Sequence, residues 1–167
     1  NDELMLSVAG TPGADPGEAR EGSNRGPGAD TLWVVFSSEE PGGVKTPAFL
    51  RALTVFQTRM EALHEVSESY SVAEDVMLTR RAVRKGNPAE YRLPTKQAEI
   101  NQLLMMYQLS GNVDDFGERI SSDGSITVVR VNLPVLKDFV RKGTVRKVAQ
   151  LAREGFPPGV TSAVCSP

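Results

Sequence analysis

Phe49, Leu53, Phe56, Met60 and Leu63 recur at spacings of 4, 3, 4 and 3 residues. Only an α-helix gathers such positions into one stripe, so a helix near 47–62 must bury that stripe against another layer. Thr46 offers an N-cap and Pro47 stands at the first helical position, which marks where the helix starts. Before it, Leu32-Trp33-Val34-Val35-Phe36 is an unbroken run of β-formers, followed by Ser37-Ser38 and then Pro41-Gly42-Gly43. This run reads as a strand near 31–37, central in a sheet or buried on both faces.

The elements that follow repeat the alternation. Val66, Tyr70 and Val72 alternate with Ser67, Ser69 and Ser71, a half-buried strand near 65–71 with the serines outward. Ser71 and Glu74 form a capping box for a helix near 72–85, whose inward residues are Val72, Val76 and Val83. That helix ends in Arg80, Arg81, Arg84 and Lys85 before Gly86, the expected C-terminal chemistry. Thr95 caps a further helix near 95–111 with Ile100, Leu103, Leu104 and Tyr107 inside. Ser122-Asp123-Gly124 is a turn, and Thr127, Val129, Val131 and Leu133 form the inner face of a strand near 125–133. A basic helix near 137–153 carries Leu136, Val140, Val148 and Leu151 inward and is interrupted at Gly143; a last strand covers 160–165.

The order is βαβ, two inserted helices over 72–111, then βαβ. The fold class expected is therefore α+β, a ferredoxin-like split βαβ sandwich with its helices on one face of one sheet. Residues 1–30 differ in composition from 31–167: they hold six Gly and three Pro, with six acids against two arginines. They read as an extended, loosely packed acidic leader, and 31–167 as the folded domain.

Composition limits the chemistry. The 167 residues carry 19 Lys plus Arg against 21 Asp plus Glu with no basic block, which argues against a nucleic-acid partner. The aromatic-free strand 125–133 argues the same way, since RNA-binding sheets of this class stack bases on aromatics. One Cys and one His leave no disulfide framework and no Cys/His zinc site. The longest apolar runs are five residues, against about 20 for a membrane span, so the chain by itself is expected to be soluble. It opens on Asn1-Asp2-Glu3 rather than on Met or a basic signal start, as a segment of a longer protein or a processed product does.

Every catalytic template lacks a part. His64 stands at a helix-to-strand junction with no second His, and Cys165 has no base near it in sequence. The acid pairs Glu39-Glu40, Glu74-Asp75 and Asp114-Asp115 read as solvated surface. Gly10-Thr11-Pro12-Gly13 and Gly26-Pro27-Gly28 lack the Lys-Ser/Thr sequel of a phosphate loop. No catalytic, cofactor or metal residue is assigned. The one adaptable apolar cluster is Leu104, Met105, Met106 and Tyr107, because Met side chains repack easily.

Several segments in order carry a resemblance: Asp30-Thr31-Leu32-Trp33-Val34-Val35-Phe36, Lys45-Thr46-Pro47-Ala48-Phe49-Leu50, Met60-Glu61-Ala62-Leu63-His64-Glu65-Val66, Ser69-Tyr70-Ser71-Val72-Ala73-Glu74-Asp75, Gly86-Asn87-Pro88, Leu93-Pro94 and Asn101 through Gly111. The series resembles an extracytoplasmic porter domain of the resistance-nodulation-division (RND) exporters, in the branch of the mycobacterial-membrane-protein-large and hopanoid transporters. It looks most like the loop between transmembrane helices seven and eight. The resemblance implies a periplasmic module of a proton-driven inner-membrane exporter of lipids or other amphiphiles. It further implies a domain with no activity or cofactor of its own. Its expected partners are the transmembrane helices, the other porter domain and the cargo, in a full-length protein that can oligomerise. Leu104, Met105, Met106 and Tyr107 are then the expected cargo contact. Two other classes stand beside this one: a free-standing periplasmic ligand-binding module, and a small hydrolase.

Overall fold

The structure, a computed structural model, describes residues 30–111 and 119–166. Residues 1–29 of the expected leader 1–30 and the acids Asp114-Asp115 lie outside the described residues. The elements run β1 (Asp30–Ser38), α1 (Pro47–Glu61), β2 (Glu68–Tyr70), α2 (Val72–Val83), α3 (Gln97–Ser110), β3 (Ile126–Leu133), α4 (Asp138–Leu151) and β4 (Val160–Cys165). Asp30, grouped with the leader by composition, is the first residue of β1 and pairs with Leu133.

The strands form one sheet in the order β2-β3-β1-β4, and every neighbouring pair is antiparallel. β1 and β2 are thus parallel with β3 between them, and β3 and β4 are parallel with β1 between them. Two interleaved βαβ units give this arrangement, so the fold is α+β and ferredoxin-like. α2 and α3 are inserted between β2 and β3.

The pleat divides β1 and β3 into two faces. Leu32, Val34 and Phe36 of β1 and Thr127, Val129, Val131 and Leu133 of β3 are buried on the helix side, with the α1 stripe and Val148 of α4 against them. β1 is central, as expected, but it is not buried on both faces. Trp33 is 39% exposed and Ile126 41%, because among the described residues no helix covers the opposite face. An unbroken apolar run reads as doubly buried by its pattern alone; here the second face keeps its apolar residues in partial contact with water.

α1 starts where its cap chemistry says: the Thr46 hydroxyl accepts the Phe49 N–H at 3.1 Å, with Pro47 at the first position, a contribution of about 1 kcal/mol. Phe36 meets Phe49, Phe56 and Phe156 at ring-centroid distances of 5.9, 5.4 and 4.5 Å. The turn before β3 docks on the loop after β1. Gly42 N–H donates to the Asp123 carbonyl at 2.7 Å, and Val44 N–H to the Gly124 carbonyl at 3.1 Å. Gly124 has φ +68°, and a Cβ there would stand 2.8 Å from Lys45 Cε and 3.0 Å from Gly42 Cα, so this approach requires glycine.

Four local expectations are corrected. β2 is only three residues long, and its serine points inward rather than outward: Ser69 is buried and bonded to α1, while Tyr70 turns to the other face. Val83 is exposed, and the buried residue at the end of α2 is Arg80. α3 begins after Lys96 without a side-chain cap, so Thr95 does not cap it. α4 runs unbroken through Gly143, since packing of Val148 and the fully buried Thr144 outweighs the roughly 1 kcal/mol that glycine costs in a helix.

Candidate functional site

Two features of the inserted helices are organised beyond ordinary packing. The first is a polar cluster where α2 meets β2. Ser71 caps α2 by accepting the Ala73 N–H at 3.2 Å, which places Asp75 in the first turn, facing inward with 1% exposure. Arg119 Nη1 donates to Asp75 Oδ1 and Oδ2 at 2.8 and 2.9 Å and to the Tyr107 hydroxyl at 2.9 Å. Tyr70 donates its hydroxyl to Asp75, and the Arg119 guanidinium lies 4.6 Å from the centre of the Tyr70 ring. Burial, the hydrogen bond to Asp75 and the charge of Asp75 push the Tyr70 phenol well above the usual tyrosine range. Burial alone would lower the Arg119 pKa, but the charge and hydrogen bonds of Asp75 outweigh it and hold the guanidinium protonated.

From Ser71 the hydrogen bonds continue into α1. Ser71 Oγ donates to Gln57 Oε1 at 2.6 Å, while Gln57 Nε2 donates to Ser69 Oγ at 3.1 Å and to Glu74. Ser69 donates through its backbone N–H and hydroxyl to Glu61 Oε1 at 2.9 and 2.7 Å. Burial raises the pKa of Glu74, against the opposing hydrogen bonds from Gln57 and the Ser71 N–H. Glu74-Asp75 is therefore not solvated surface. The carboxylates are drawn in because Arg119 and Gln57, remote in sequence, supply the partners that burial requires.

Arg80 makes a second clamp. Its Nε donates to Glu99 Oε1 at 2.9 Å and its Nη1 to Glu90, so α2, the 3-10 turn Pro88–Glu90 and α3 are tied at one side chain. The basic C-terminus of α2 was legible in the sequence, but which of its cations turns inward was not.

The second feature is a groove of about 650 Å³ between the outer sides of α2 and α3, lined by Leu78, Thr79, Ala82, Val83, Met106, Leu109 and Ser110. The four residues expected to act together are not brought together. Leu104 lies in the core, Tyr107 is half-buried on the polar cluster, Met106 lines the groove, and Met105 is exposed beside it. Successive helix residues point about 100° apart, so a run of four cannot share one surface. Leu78 and Leu109, neither of them on an expected buried stripe, are part of the groove instead. Their signal was apolar residues off the buried stripe of each helix.

His64 is exposed just after α1, and Cys165 is exposed at the end of β4, paired with Trp33 on the open sheet face. Among the described residues no group of three His, Cys, Asp or Glu side chains is placed to hold a metal ion. None of their helices is long and apolar enough to cross a membrane. The polar groups of the cluster are engaged with one another rather than aimed at open space, an arrangement suited to holding elements in place. In comparison with known proteins, the chain matches no family model and no curated protein.

Proposed function

We propose that this chain is an extracytoplasmic porter domain of an RND-type, proton-driven exporter of lipids or other amphiphiles, the loop between transmembrane helices seven and eight. The observation that carries this reading is the ordered series of RND-like segments from Asp30 to Gly111, together with a split βαβ sheet that holds a helical pair between β2 and β3. The domain performs no chemistry. It forms walls of the cargo path on the periplasmic side of the inner membrane, with the transmembrane helices and the other porter domain of the transporter as its partners. The Asp75–Arg119 cluster and the Arg80 clamp support a mechanical role, because they lock the inserted helices to the sheet as one body.

The parent gene tests the reading directly. Apolar runs of about 20 residues should flank this segment on both sides. Their absence would leave a free-standing ligand-binding module, with the α2–α3 groove as its site.

The cargo contact lies in that groove. In the full-length exporter, Met106→Lys should lower export about tenfold at unchanged protein abundance, because a cation then stands in an apolar path. Met105→Lys should act more weakly, as Met105 points away from the groove. Both residues are over 40% exposed, so folding should change by no more than about 0.5 kcal/mol. Normal export by both variants removes the groove from the cargo path.

A further inference from the structure

Phe139 is 74% exposed and Val135 71% exposed, the two most exposed large apolar side chains after Leu109 among the described residues. Both lie at the N-terminal end of α4. One and two helical turns along the same outward face stand Lys142 and Arg146, both exposed, and Lys137 precedes the helix. None of these three cations has a carboxylate within ion-pair distance among the described residues. Arg141 beside them is neutralised by Asp30 at 2.9 Å. Among the described residues, Asp138 is the only acid on the cleft of about 510 Å³ that Arg141, Lys142 and Arg146 line. An exposed aromatic among unpaired cations is the pattern of a helix lying on an anionic bilayer, with the ring at headgroup depth and the cations on phosphates.

The topology sets the direction of this surface. Asp30 pairs with Leu133, and Trp33 with Cys165. The start of β1, the end of β3 and the end of β4 therefore lie at one end of the sheet, where α4 begins. Arg141 joins them by bonding both Asp30 and Ser166. The first and last described residues, Asp30 and Ser166, lie at the end that carries Phe139.

We infer that the N-terminal half of α4 docks on the anionic surface of a lipid bilayer, through Phe139 and Val135 at headgroup depth and Lys137, Lys142 and Arg146 on lipid phosphates. This deepens the porter reading and rests on it for the bilayer's position: a domain tethered at both ends to a membrane presents this end to it. Docking there fixes the tilt of the domain over the transmembrane helices.

The test is co-sedimentation of the full chain with vesicles. Vesicles of phosphatidylcholine containing phosphatidylglycerol should bind it, and pure phosphatidylcholine vesicles should not. Raising salt from 50 to 300 mM should release it, because the Debye length falls well below the helix dimensions. Lys142→Gln with Arg146→Gln should weaken binding about thirtyfold, at about 1 kcal/mol per cation. Phe139→Ser should weaken it about tenfold without changing the charge. Arg51→Gln, near the start of α1 at the far end of the sheet, should have no effect, and all variants should melt like the parent, since each site is exposed.

Equal binding to neutral vesicles, equal loss with Arg51→Gln, or full binding by the α4 variants would each overturn the proposal. So would a chain that ignores vesicles and instead binds polyglutamate through Lys142 and Arg146, which would make the partner an acidic polypeptide. The two readings fail separately: a parent gene without flanking spans removes the porter reading, whereas absent vesicle binding with spans present removes only this contact.

Discussion

Phe36→Ala should lower the stability of the fold by about 4 kcal/mol, measured as the loss of unfolding free energy in urea. Phe36 is fully buried in β1, and its ring makes edge-on contacts with Phe49 and Phe56 at interplanar angles of 78° and 79°. Phe156, after α4, lies 4.5 Å from it and also touches the rings of Phe49 and Phe56. One side chain thus joins the sheet to α1 and to the loop after α4. Its removal opens a cavity that rigid neighbours on β1 and α1 cannot fill, and it abolishes several aromatic contacts of about 0.5–1.5 kcal/mol each. Against a total of roughly 5–15 kcal/mol, the variant should be close to unfolding at physiological temperature. Phe56→Ala should cost about 3–5 kcal/mol by the same mechanism. Because the two rings touch, the double variant should lose less than the sum of the single losses. A loss below about 1 kcal/mol for Phe36→Ala would show that the cluster is not the centre of the core.

Asp75→Leu should cost about 3 kcal/mol, the second large effect. The carboxylate accepts from Arg119 and Tyr70 at a site with 1% exposure, so its removal leaves a half-buried guanidinium and a phenol without their acceptor. The Arg119 side chain keeps 30% of its exposure and can regain some water, which places the expected cost at the low end for a broken buried pair. The pair itself is a weaker source of stability than either half suggests. Asp75→Leu combined with Arg119→Met should therefore lose less than Asp75→Leu alone, since no orphaned charge remains. The comparison is made by chemical denaturation of the single and double variants. A double variant less stable than Asp75→Leu would show that Arg119 contributes mainly through other contacts, such as its position over the Tyr70 ring.

Local chemistry made much of the framework legible. The 4-3-4-3 spacing of α1, its Thr46-Pro47 start, the alternation of β3 and the extent of β4 all follow from positions close together in the chain. The candidate site was less legible for the same reason. Asp75 and Glu74 are adjacent acids by sequence, and nothing near them announces Arg119, 44 positions on, or Gln57 from the preceding helix. The alternation in β2 misled because it scored Ser69 and Ser71 as outward-facing polar residues. In the fold they meet Glu61 and Gln57 across the α1–β2 junction, so their hydroxyls are satisfied inside. Phe156 stands between Gly155 and Pro157 with no periodic pattern around it, yet it completes the aromatic cluster.

The order and type of the elements follow from local pattern, because hydrophobic period and cap chemistry act over three or four residues. From that order and the right-handed crossover follow also the split βαβ topology and the two inserted helices. Long-range packing alone set which polar groups went inside, which face of the sheet no described helix covers and which apolar residues the two-helix insertion left on its surface. Those outcomes depend on partners that are distant in the chain. Burial of a charge or a hydroxyl is favourable only where such a partner arrives, and no local pattern records its arrival.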